Sequence, residues 1–159
     1  MKRVVTWCVG VCLAAVPTIA MAAERPVDIP GRSKKSAAIV VATVTSVEGG
    51  RFDTNQFGDQ IIVTRAWLRV NEVVKGQAAQ VVALDIEGGS VGDLTLKVSD
   101  MPALSTGEQG VFFLDRSANG AHVPNGRGQG VLKVDRNGHV ADSQLTLDDV
   151  KAQIRAALR

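Results

Sequence analysis

Beyond Cys12 the chain has no cysteine. That excludes a disulfide framework, a thiolate nucleophile and a cysteine metal site from everything after it. Histidine is nearly as scarce. His122 and His139 lie in separate glycine-bounded segments, with no acidic or hydroxyl partner at a diagnostic spacing. His-Glu-x-x-His, Gly-x-Ser-x-Gly and Cys-x-x-Cys are all missing, so metal hydrolysis, the nucleophile elbow and thiol redox chemistry have no sequence support. Gly126, Gly128 and Gly130 alternate, but no Lys-Ser/Thr follows them; they mark a bend or bulge in a closing strand rather than a phosphate loop. The carboxylates Asp85, Glu87, Asp93 and Asp100 offer oxygen ligands of the kind calcium takes, without the fixed spacing of a calcium loop. The expectation is therefore no catalytic residue, no metal and no cofactor. An enzymatic alternative, a hydrolase, would need His122 or His139 beside a carboxylate in a pocket.

What the chain does have begins with a targeting segment. Lys2 and Arg3 precede an uncharged run from Val4 to Ala20 that closes on Ala20-Met21-Ala22, the basic, apolar and small-x-small order of a signal peptide over residues 1–22. Pro17 interrupts the run, and Glu24 and Arg25 follow without a basic stop-transfer cluster, so no membrane span is expected after cleavage. Val11 stands where a lipoprotein signal needs a small residue before Cys12. The chain is thus expected to be exported, to the periplasm or out of the cell. Of its 18 basic and 16 acidic residues, Lys2 and Arg3 leave with the signal, which makes the remainder neutral. A neutral domain argues against a nucleic-acid partner, because such binding is dominated by phosphate neutralisation.

Residues 23–36, with Pro26, Pro30, Gly31, Arg32, Lys34 and Lys35, read as an extended leader. A single domain over 37–159 follows. Residues 37–47 are rich in β-branched side chains and end at Gly49-Gly50, which predicts a first strand. Residues 51–59 read as a polar loop in which Phe52 and Phe57 either tuck back onto the domain or form an exposed contact patch. A long second strand runs from Gln60 to Val74, and shorter ones cover 81–86 and 94–98. The densest apolar run, within Ser105 to Asp115, predicts a central strand buried on both faces. It holds two of the chain's four phenylalanines, Phe112 and Phe113, which are expected to anchor the core. Asp135-Arg136-Asn137-Gly138 predicts a hairpin between 131–134 and 139–140. The last element is a helix over 147–158. Thr146 is its N-cap, Asp149 stands in the capping-box position, Leu145 and Val150 form a staple, and Leu147, Val150, Ile154 and Leu158 make the docking stripe.

Alternation along the second strand sets Arg65, Trp67 and Arg69 on its wetter face, about 7 Å apart at strand rise. A guanidinium on each side of an indole is a recognition ladder of the residue types that dominate binding hot spots. Arg65, Trp67 and Arg69, with Phe52 and Phe57, are the candidate partner-binding residues. The competing expectation for Trp67 is that the leader or the final helix covers it.

These elements predict a mainly β fold: a small, closed or partly open antiparallel Greek-key barrel of the OB type with one C-terminal helix. The chain also resembles a family of exported bacterial domains with a netrin-like, tissue-inhibitor-of-metalloproteinase-like barrel. The matching residues are 38–44, Val73-Val74-Lys75-Gly76, Gly88-Gly89 with Leu94-Thr95-Leu96, Pro102 with Gly107-Glu108, 111–114, and Gln129-Gly130. The resemblance implies a binding or inhibitory module rather than a catalyst. The animal inhibitors chelate a protease zinc through an N-terminal cysteine, which this chain lacks after its signal segment, so that mechanism does not carry over. The expected function is an exported, non-enzymatic module that binds another envelope or extracellular protein. The alternatives are glycan or single-stranded nucleic-acid binding on a barrel face, or protease inhibition by another route.

Overall fold

The structure, a computed structural model, describes residues 27–55, 57–117 and 120–159. The proposed signal segment, and the leader up to residue 26, lie outside these residues. Five strands close a barrel. β1 (Ala38–Val47) pairs antiparallel with β3 (Gln60–Lys75) on one edge and with β7 (Gln109–Arg116) on the other. β3 pairs with β4 (Val81–Glu87), β7 pairs with β8 (His122–Pro124), and the circuit closes where β4 meets β8 at Leu84 and His122. That last contact is parallel, so the barrel is mixed, where an antiparallel one was expected. β2 (Arg51–Thr54) hairpins onto β3, β5 (Gly89–Val91) pairs with β6 (Leu94–Leu96), and β9 (Val131–Val134) pairs with the first half of β7. The predicted polar loop at 51–59 is thus half strand. Its backbone completes a ladder with residues 60–63, and only the tip remains a turn.

β1 and β7 are buried on both faces, because they separate two apolar cores. Val40, Ala42 and Val44 point into the barrel with Leu68, Leu84, Phe112 and Leu114. Ile39, Val41, Val111 and Phe113 point outward, under Ile29 of α1 (Ile29–Lys35) and under Val150 and Ile154 of α2 (Leu147–Ala157). Successive side chains on a strand face opposite ways. Phe112 and Phe113 are therefore each fully buried, but they anchor two different cores rather than the one expected.

The leader differs from expectation. Residues 29–35 are helical, not extended. Asp28 caps the first turn by accepting from Gly31 N at 2.9 Å, and Pro30 stands in that turn, where its missing N–H costs nothing. The helix is too short to stand alone. Its exposed carbonyl end is closed from forty residues away, by the Lys75 ammonium donating to the carbonyls of Ser33, Lys34 and Ser36 at 2.7, 3.0 and 2.7 Å. A cation at a helix C-terminus is also favoured by the dipole. α2 has the predicted capping box: Asp149 N donates to Thr146 Oγ1, and Thr146 N donates to Asp149 Oδ2. Lys151 and Arg155 hold Glu72 of β3 at 2.7 and 3.2 Å. Leu158 stands at the C-cap and is exposed, so the docking stripe ends at Ile154.

Two outcomes follow. A double-mutant cycle of Phe112→Leu and Phe113→Leu in urea unfolding should show coupling below about 0.5 kcal/mol, because the rings share no core. Phe113→Leu with Ile154→Val, inside one core, should couple measurably. Lys75→Met should cost about 1–3 kcal/mol and speed amide exchange at Ser36, whose N–H bonds Arg32 O, before it affects β7.

Candidate functional site

The helices cover only part of the barrel. Together they pack over β1, β7, β9 and the C-terminal end of β3, and the outward side of the stretch of β3 that pairs with β4 belongs to neither core. Here the alternation of β3 puts Ala66 and Leu68 inside and Arg65, Trp67 and Arg69 outside, as expected. Trp67 is partly buried and covered by neither α1 nor α2. Its strand partners are Ala83 on β4 and Ser46 on β1, two small residues. The indole N–H donates to Glu48 Oε1 at 2.5 Å, which fixes the ring orientation. Arg69 is exposed, beside the 52 % exposed Val81. Next to it, Asn71 Nδ2 donates to Thr43 Oγ1 at 2.9 Å.

Arg65 departs from the ladder. Its Nε and Nη2 fork onto the two oxygens of Asp85 at 2.7 and 2.9 Å, and Arg51 Nη2 donates to the same carboxylate at 2.6 Å. Asp85 is only 5 % exposed. Burial alone would raise its pKa, but the hydrogen bonds from Arg65 and Arg51 and their charges outweigh that and hold it below the usual carboxylate value. Arg65 is therefore a fixed part of the wall, and the ladder reduces to Trp67 and Arg69. Sequence reasoning missed Glu48 and Arg51, and took Asp85 as an oxygen ligand rather than the partner of two arginines. For Asp85 there was a signal, a single carboxylate inside the otherwise apolar Val81–Ile86 strand, which calls for a buried cationic partner.

Phe52 and Phe57 do not join this surface. Arg51 reaches the Asp85 side of the sheet, so alternation turns Phe52 to the reverse, over a cleft of about 280 Å³ lined by Ile62, Leu94 and Leu96. Phe57, 78 % exposed, tops the hairpin. Asn55 Oδ1 accepts from the amides of Phe57 and Asp59 there and shapes the turn. Neither ring tucks back.

Three of the four suggested calcium carboxylates are already engaged. Asp85 holds two arginines, and Glu87 and Asp100 both hold Arg127, at 3.2 and 2.5 Å. Among the described residues no His/Asp/Glu group is arranged to hold a metal ion, and no helix is long and apolar enough to cross a membrane. His122 is pushed below its usual pKa by burial and by the Arg116 charge, against a hydrogen bond with the Ala83 backbone. His139 is exposed at the turn, where its amide donates to Asp135 Oδ1.

Asp85→Asn should cost about 1–3 kcal/mol at pH 7. Because the folded pKa is depressed, the ionised pair stabilises above the unfolded value of about 3.9 and fades as pH falls through the folded one. Urea melts should show the gap between variant and wild type narrowing from pH 5 to pH 3.

No protein-family model matches the sequence, and no curated protein is significantly similar to it. What the surface around Trp67 does is therefore read from this chain's own residues.

Proposed function

We propose that the protein is an exported, non-enzymatic binding module that contacts another protein of the cell envelope or exterior through the β3–β4 surface centred on Trp67. The observation that carries this reading is an indole outside both cores, held by Glu48 and flanked by the exposed Arg69 and Val81. A large amphipathic ring fixed before contact loses little entropy on binding, and an open arginine beside it adds directional donors. Export is supported by the basic, apolar and small-x-small order of residues 1–22. The resemblance to netrin-like exported barrels read from the sequence implies binding rather than turnover. A protein partner is favoured over single-stranded nucleic acid because the surface carries one stacking ring, and two of its three arginines are held in ion pairs with Asp85.

Capture from envelope extract by the immobilised protein, followed by titration of the recovered partner, tests this. Trp67→Ala should weaken binding about 30-fold or more, the size of a hot-spot loss of at least 2 kcal/mol, and Arg69→Glu should weaken it as well. Phe57→Ala should bind as wild type. Loss with Phe57→Ala and retention with Trp67→Ala would move the contact to the hairpin tip and overturn the assignment.

A further inference from the structure

The barrel's two ends are closed differently. At the end where β1 and β4 finish, residues 97–108 form neither helix nor strand, and the plug consists of Met101 and Leu104 resting on the barrel core. This closure is incomplete. It leaves a cavity of about 320 Å³ whose walls include Val47, Ala66, Ile86, Leu96, Met101 and Leu104. That volume is at the lower end of the range of about 300–1,000 Å³ typical of small-molecule sites, which are likewise mostly apolar with few polar groups. The inward face of β3 lines it, so it lies behind the sheet from Trp67.

The polar groups on the lining are mostly satisfied. The Thr64 hydroxyl donates to Gly88 O at 2.8 Å, and Glu87 is paired with Arg127. Lys97 is the exception: it is exposed, and among the described residues it makes no ion pair. The site is therefore an apolar interior with one uncompensated positive charge on its solvent side. Its cover is tied to the barrel by backbone and side-chain bonds on either side of Met101. Asp100 O accepts from Gly128 N at 2.8 Å, and Ala103 O accepts from Lys133 Nζ at 2.6 Å. Between these tethers stands Met101, an unbranched side chain that readily repacks around an occupant.

We infer that this cavity binds a free monoanionic amphiphile with a single medium-length aliphatic chain. The chain lies against Ala66, Ile86 and Met101, and the acid group sits at Lys97. A hydrocarbon chain laid against these apolar walls takes its own surface and theirs out of water. A neutral head group would leave Lys97 without a counter-charge. The volume admits one short chain and not a two-chain lipid.

Isothermal titration of the purified protein with decanoate and with decanol tests the assignment. Decanoate should bind saturably at one site. Lys97→Glu should weaken decanoate at least tenfold and leave decanol unchanged, and Val98→Trp, which fills the cavity, should weaken both at least tenfold. Both positions lie in the irregular cover, and matching thermal melts would show that the fold is kept; Lys97→Gln serves as a second charge variant should Lys97→Glu not fold. Absence of saturable decanoate binding, equal decanoate affinity in both charge variants and wild type, or unchanged binding in a folded Val98→Trp would overturn it.

Discussion

The pairing of β1 with β7 is the contact on which the molecule depends. Both strands are buried on both faces, so one ladder closes the barrel and divides its side chains between two apolar compartments. Opening it would expose the barrel interior and strip α1 and α2 of the surface they rest on. The same ladder decides which part of the barrel stays bare. Both helices are drawn to the outward apolar residues of β1, β7 and β9, and the paired stretch of β3 and β4, whose outward face mixes Arg65, Trp67, Arg69 and Asp85 with a few small or exposed apolar residues, is left uncovered. The candidate surface exists because the hydrophobic demand is met elsewhere.

Charge on that surface is arranged by a buried carboxylate. Asp85 draws Arg51 and Arg65 into fixed positions, so two of the three arginines act as scaffold and the accessible positive charge falls to Arg69. A buried ion cluster of this kind is weak support for net stability, since desolvation offsets much of the attraction. Its effect here is geometric. It holds the wall beside Trp67 rigid while Glu48 fixes the indole itself.

Much of this was legible in the residues. Period-two alternation placed β3, β-branched and apolar runs bounded by turn residues placed β1, β4 and β7, and Thr146 with Asp149 placed the start of α2, because all of these are written in local sequence. The leader helix was harder to see. Its Asp28 and Pro30 are ordinary start signals, yet seven residues carry too little periodicity, and what stabilises them is Ile29 in a distant core and the Lys75 ammonium across the fold. β2 went unread for a similar reason: four residues become a strand only because β3 offers them an edge. Of the candidate surface, Arg65, Trp67 and Arg69 were placed on the right face, but Arg65 read as open because its partner lies twenty residues on, in another strand.

By itself, then, the amino-acid order determined the longer strands, the final helix, the shared face of Arg65, Trp67 and Arg69, and the scarcity of reactive groups after Cys12, since each of these depends on composition or on neighbours a few positions apart. Only the tertiary structure decided the parallel contact of β4 with β8, the division of Phe112 and Phe113 between two cores, the capture of Arg65 by Asp85, and the cavity beneath Met101. Those depend on which distant strands meet and in what register, and no local period encodes such pairings.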